Sequence, residues 1–125
     1  MIKIIGKTCQ GDGIGTKIGF PTINFTFSRQ KISGVFAAEG TIFNKKFFGA
    51  AFFGNRPTFN SNRFRAEIHF LNFPEFLKIA PGENIEVKIW QKIRDPKKFT
   101  SLEKLKEAIA EDCEKAGKII KNLPL

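Results

Sequence analysis

The sequence is poor in the residues that build covalent or metal-held scaffolds. Its 125 residues contain two cysteines, Cys9 and Cys113, alone and far apart. That spacing excludes a CxxC redox pair and a zinc knuckle. Two free thiols suit a reducing compartment, so a cytoplasmic location is expected. His69 is the only histidine, which excludes a multi-histidine metal centre. There is one Trp, one Met and no Tyr. No apolar run approaches the roughly 20 residues of a membrane span. The apolar opening, Met1-Ile2-Lys3-Ile4-Ile5, is too short for a signal peptide. No repeat, low-complexity tract or Pro/Ser-rich linker divides the chain. One domain over residues 1–125 is therefore expected, long enough to bury a core without staples.

What is present leans towards β structure. There are 15 Phe, a residue that packs well on pleated surfaces. Lys and Arg number 21 against 12 Asp and Glu, a net charge of +9. Such a surface attracts anions: nucleotides, phosphates, nucleic acid or acidic lipid. Much of the lysine falls between residues 95 and 121 and reads partly as a solvated helix face.

Punctuation and periodicity place the elements. Residues 3–9 can form a strand, and residues 10–21, with Gly11, Gly13, Gly15, Gly19 and Pro21, form a loop. In 22–27, Ile23, Phe25 and Phe27 alternate with Thr22, Asn24 and Thr26, a strand pattern. Runs at 34–43 and 46–53 flank Asn44-Lys45, a hairpin signal. A loop rich in Asn, Pro and Ser covers 55–62. In 63–71, Phe64, Ala66, Ile68 and Phe70 point one way and Arg65, Glu67, His69 and Leu71 the other. After the Pro81-Gly82 turn, Ile85, Val87 and Ile89 alternate with Glu86 and Lys88. The tail changes period. Thr100-x-x-Glu103 has the form of a capping box. Leu102, Leu105, Ile109, Cys113, Ala116 and Ile120 then follow at helical spacing until Pro124 stops the helix. The expected fold is mainly β: a six-stranded antiparallel barrel of Greek-key type, closed to remove its edges, with a C-terminal helix over one open end. A small β-sandwich is the alternative.

Two segments bear on chemistry. Gly11-Asp12-Gly13-Ile14-Gly15-Thr16-Lys17 lets backbone amides converge on an anion, with Lys17 adding charge. It matches neither a P-loop nor a true GxGxxG, and it leads into a strand. Taken alone it reads as a flexible turn. Thr22 and Asn24 emerge on one strand face, where a hydroxyl and an amide oxygen can ligate a hard cation. The plainer reading is a polar strand face bonded to a neighbouring loop, and the residues alone favour it. Likewise Arg65, Glu67 and His69 by themselves read as a solvated barrel exterior, with His69 structural.

Several short blocks, in order, resemble ATP-dependent riboflavin kinases. They are Gly6-Lys7 through Gly11-Asp12-Gly13, Gly15, Lys17 and Gly19-Phe20-Pro21-Thr22-x-Asn24, then Gly34-Val35-Phe36-Ala37 and Gly54-x-Arg56-Pro57-Thr58-Phe59. Glu67-x-His69-x-Leu71-x-Phe73, then Ile93-Arg94-Asp95-x-Lys97-Lys98-Phe99-x-Ser101-Leu102-x-x-Leu105 and Asp112, complete the set. The resemblance covers nearly the whole chain and implies a six-stranded barrel with a C-terminal helix. It implies transfer of the γ-phosphoryl group of ATP to the ribityl 5′-hydroxyl of riboflavin, giving FMN and ADP. Gly11, Gly13, Gly15 and Lys17 would then cover the ATP phosphates. Thr22 and Asn24 would bind Mg²⁺, or another divalent cation, and phosphate. Glu67 would take the proton from the 5′-hydroxyl, and Arg94 and Phe99 would lie near the flavin. The bacterial form is usually fused to an adenylyltransferase that makes FAD; the present residues correspond to the kinase module alone.

The resemblance has gaps. Thr16 stands where the family often has Arg, Asn72 replaces a common Asp, and Phe76-Leu77-Lys78-Ile79-Ala80 replaces a usual Leu-Tyr-Gly. Expected partners are small-molecule substrates, with no nucleic acid and no membrane, acting on a monomer. Two other readings stay open: a flavin- or nucleotide-binding barrel without catalysis, and a basic barrel for single-stranded nucleic acid. The inward alternation of most Phe residues speaks against the last.

Overall fold

In the computed structural model, residues 1–10, 22–28, 31–55, 64–71 and 79–123 are described. The loop residues Gly11, Gly13, Gly15 and Lys17, the segments 19–21, 56–59 and 72–78, and Pro124 lie outside them. The elements are β1 (Ile2–Cys9), β2 (Thr22–Phe27), β3 (Gly34–Ile42), β4 (Lys45–Asn55), β5 (Phe64–Phe70), β6 (Asn84–Arg94) and α1 (Leu102–Lys121).

The strands close in the order β1-β2-β5-β4-β3-β6, each antiparallel to its neighbours. This is the expected closed antiparallel barrel of Greek-key type; β1 pairs with β6, so the sheet does not split into a sandwich. One face of each strand fills the interior. Ile4, Phe25, Ala38, Ala51, Phe53, Ala66, Ile68, Phe70, Ile85, Val87 and Ile89 are all buried in one cluster. Phe53 is its hub: Phe25, Phe27 and Phe36 approach its ring edge-on, with centroids 5.9, 5.6 and 5.9 Å away. Edge-to-face pairs add roughly 0.5–1.5 kcal/mol each beyond burial.

Helix α1 lies on the outer wall, not over an open end. Its stripe Leu105, Ile109, Cys113 and Ala116 packs on Val35 and Ala37 of β3 and on Ala50 and Phe52 of β4. The reason is in the strands. β3 and β4 are apolar on both faces, so their outer face must be covered as well. Leu102 stays exposed and is not part of the stripe.

Two local features sit one residue away from expectation. The β3–β4 turn is Phe43-Asn44, both with positive φ (53° and 61°), the backbone that tight hairpins demand. The helix cap is Ser101, whose Oγ accepts from the Lys104 amide at 3.2 Å. Because Thr100 is not the cap, Glu103 is not the third helical residue and no capping box forms.

Candidate active site

The β2–β5 ladder brings the polar residues together. Asn24 lies directly across from Glu67, and Thr22 across from His69. All four sit on the outer face, because Ile23, Phe25, Ala66 and Ile68 turn inwards. Opposed residues on neighbouring strands have Cβ atoms about 5 Å apart, so the side chains meet. Thr22 Oγ1 is 3.0 Å from His69 Nδ1, and His69 Nε2 is 3.3 Å from Glu67 Oε1.

Burial changes the reading of this face. Glu67 and His69 are each only 3% exposed, so they are not a solvated exterior. Strict alternation separates inside from outside but says nothing about what covers the outside. Here β4 and α1 close in. Phe52 is the β4 neighbour of Glu67 and is buried under α1. Cys113 of α1 directs its thiol at the His69 carbonyl, 3.8 Å away. Gly49 of β4 packs against the same carbonyl, where any side chain would collide.

Arg94 and Phe99 also meet. The Arg94 guanidinium is 5.6 Å from the centre of the Phe99 ring. Its fork is held by Asp112 of α1: Nε donates to Oδ1 at 2.8 Å and Nη2 to Oδ2 at 2.7 Å, while Nη1 donates to the Asp95 carbonyl. A planar fork on a carboxylate is geometry that lysine cannot reproduce. Lys97 also lies over the Phe99 ring, at 5.9 Å. Beside it a cleft of about 500 Å³ is lined by Lys97, Lys98, Phe99, Thr100 and Lys104, among others.

The two groups are linked by one row of the sheet. Partners run from Asn24 to Glu67, Phe52, Val35 and Arg94 across β2, β5, β4, β3 and β6. Three strand spacings separate Glu67 from Arg94, roughly 14 Å of wall. Phe52 and Val35, between them, are under α1. The fold thus unites Thr22, Asn24 and Glu67, and unites Arg94 with Phe99, and sets the two groups apart. His69, read as structural from the sequence, is at the centre of the first group. Its spacing from Glu67, two along a strand, was the available signal.

Among the described residues no cluster of three or more His, Cys, Asp or Glu could hold a metal by itself. Also among them, no helix is long and apolar enough to cross a membrane.

Comparison with known proteins gives a consistent picture. The Flavokinase family model, described as riboflavin kinase, matches residues 1–120. A bifunctional riboflavin kinase/FMN adenylyltransferase from Haemophilus influenzae is 37% identical over 121 residues, 91% of this chain and 37% of that protein. The chain therefore spans a little over a third of the length of that relative. In structure it is similar to the riboflavin kinase of Trypanosoma brucei, with a TM-score of 0.63, 18% identity, and coverage of 96% of this chain and 80% of that one. It is also similar to part of a Streptococcus pneumoniae chain named a macrolide-efflux protein: TM-score 0.74, 25% identity, 98% of this chain and 39% of that one.

Proposed function

The chain belongs to the riboflavin kinase family, and on that premise we propose that it phosphorylates the ribityl 5′-hydroxyl of riboflavin from ATP at the Thr22–Asn24–Glu67 wall. The observation that carries the site is the register: the Glu67 carboxylate on β5 is set opposite the Asn24 amide on β2, and His69 beside it is set opposite the Thr22 hydroxyl. Phosphoryl transfer asks a protein chiefly for positioning and charge neutralisation.

Each residue has a part in this reading. Thr22 and Asn24 offer a hydroxyl and an amide on one face, a donor set that fits a hard divalent cation such as Mg²⁺ arriving with the nucleotide. When bound, that ion neutralises phosphate charge. Glu67 orients the 5′-hydroxyl and takes its proton on the carboxylate. Its mid-strand position fixes the backbone, and its burial limits the directions in which the carboxylate can point. Gly11, Gly13, Gly15 and Lys17 cover the ATP phosphates. Phe99 offers a ring face to the flavin flank, and Arg94, its fork taken by Asp112, shapes that flank by holding it. The products are FMN and ADP. ATP chemistry beside two free thiols suits the cytoplasm, with small molecules as the working partners.

The test is Glu67→Gln, which keeps size and hydrogen bonding but cannot accept the proton. General-base contributions run about 10²- to 10⁴-fold, so kcat should fall by that factor while the melt is unchanged. Unchanged turnover in a folded variant would remove Glu67 from the chemistry. It would favour the reading of a barrel that binds flavin or nucleotide without turning it over.

A further inference from the structure

We propose that His69 is a positioning residue that ties Glu67 to Thr22 through one ring tautomer, a role that rests on the kinase reading of this wall. A neutral imidazole has one donor nitrogen and one acceptor. Glu67 Oε1 sits 3.3 Å from Nε2, and an ionised carboxylate only accepts. With Glu67 ionised and the ring neutral, the tautomer that satisfies this contact carries its proton on Nε2. In that tautomer Nδ1 is an acceptor, and the group 3.0 Å from it is the Thr22 hydroxyl, which then donates. The chain of donation runs from Thr22 Oγ1 to Nδ1, and from Nε2 to Glu67 Oε1.

Two consequences follow for the neighbours. The Thr22 proton is turned towards the ring, so the lone pairs of Oγ1 are directed away from it, as a cation ligand requires. The Glu67 carboxylate has a donor 3.3 Å from Oε1, so a buried ring helps to set its aim. The backbone that carries the ring is held from behind: the Cys113 thiol and Gly49 both pack on the His69 carbonyl. A ligating group and a base thus share one buried ring, itself only 3% exposed.

The tautomer is read without any variant, because His69 is the only histidine in the chain. Long-range ¹H–¹⁵N spectra of the labelled protein at neutral pH should show one ring, protonated at Nε2 and bare at Nδ1. A proton on Nδ1, or on both nitrogens, overturns the proposal. Activity supplies a second arm. His69→Asn keeps an amide near the Nδ1 position but cannot reach Glu67; His69→Gln reaches Glu67 but leaves Thr22. Supporting residues of this kind cost about 10- to 100-fold when lost. His69→Asn should lower kcat by about tenfold with the Mg²⁺ requirement unchanged. His69→Gln should raise the Mg²⁺–ATP concentration for half-maximal rate by a similar factor with kcat nearly kept. Equal losses in both variants, matched by equal drops in melting temperature, mean a packing role only and overturn the proposal. Absence of FMN with the parent protein would sink the kinase reading instead, and the tautomer would still decide whether the tie exists.

Discussion

A threonine and an asparagine two residues apart on β2 are ordinary surface residues until the strand beside them is known. The β5 partner gives Thr22 a histidine and Asn24 a glutamate. A metal site built on two neutral side chains is weak without the nucleotide phosphates that would complete it. Removing one oxygen should therefore weaken metal–nucleotide binding before it affects proton transfer. Thr22→Ala and Asn24→Ala should each raise the Mg²⁺ concentration needed for half-maximal rate by about tenfold or more, at the scale of lost ligand-shell contacts. A magnesium titration at fixed ATP measures this, and unchanged curves in both variants would cancel the metal assignment. The shared face of Thr22 and Asn24 offered a cation site from the residues alone, but only the family resemblance tipped the reading towards it, and Glu67 was legible as a base only through that resemblance. By pattern alone Glu67 and His69 read as a solvated exterior, because alternation separates two faces and cannot tell a covered outer wall from a solvated one. The burial of Glu67 and His69 depends on β4 and α1, which are distant in sequence.

At the scale of elements, strands were legible and their junctions less so. Alternation in β2, β5 and β6 marks the inward faces well because each strand has one dominant apolar side. The β3–β4 turn fell one residue early because Phe43 carries positive φ, which few would assign to a phenylalanine. The place of α1 was not legible: a stripe shows that a helix packs, not what it packs on. The structure ties it to the wall by Arg94–Asp112, whose side chains are 23% and 7% exposed. Truncating one partner of a buried pair costs about 3–5 kcal/mol, and the partial exposure of Arg94 puts this one at the low end. Asp112→Ala should lower the unfolding free energy by about 3 kcal/mol, read as a lower denaturant midpoint with an unchanged slope. A loss under about 0.5 kcal/mol would mean the pair is no strut. The same helix buries Cys113. Burial, with the Asp112 charge adding to it, pushes its thiol from the ordinary 9.0 up to about 12. Since the folded value is the higher one, the neutral thiol's contribution to stability is complete below pH 9.0 and drains as pH rises towards about 12. Native alkylation at pH 8 should label the half-buried Cys9 and spare Cys113, and unfolding should release the second site. Equal labelling of both in the native state, read by mass spectrometry, would contradict the packing of α1.

For the molecule as a whole, closure and charge set what the barrel can do. Every strand has two hydrogen-bonded neighbours, so one rigid wall carries both candidate groups along a single row. The +9 charge favours anionic ligands such as ATP without choosing among them. The barrel was legible because its strands announce themselves by period and by Gly and Pro breaks. Most Phe in the described strands turn inwards or under α1, as with Phe25, Phe52, Phe53 and Phe70, although Phe64 of β5 and Phe43 in the β3–β4 turn are exposed. Among the described residues, that leaves few aromatic platforms for stacking bases. The central claim is that this wall phosphorylates riboflavin. The direct measurement incubates the purified chain with riboflavin, ATP and Mg²⁺ and separates the flavins and nucleotides by chromatography. The account predicts FMN and ADP rising together in equal amounts. Riboflavin recovered unchanged, from a folded protein that nonetheless quenches its fluorescence, would contradict it.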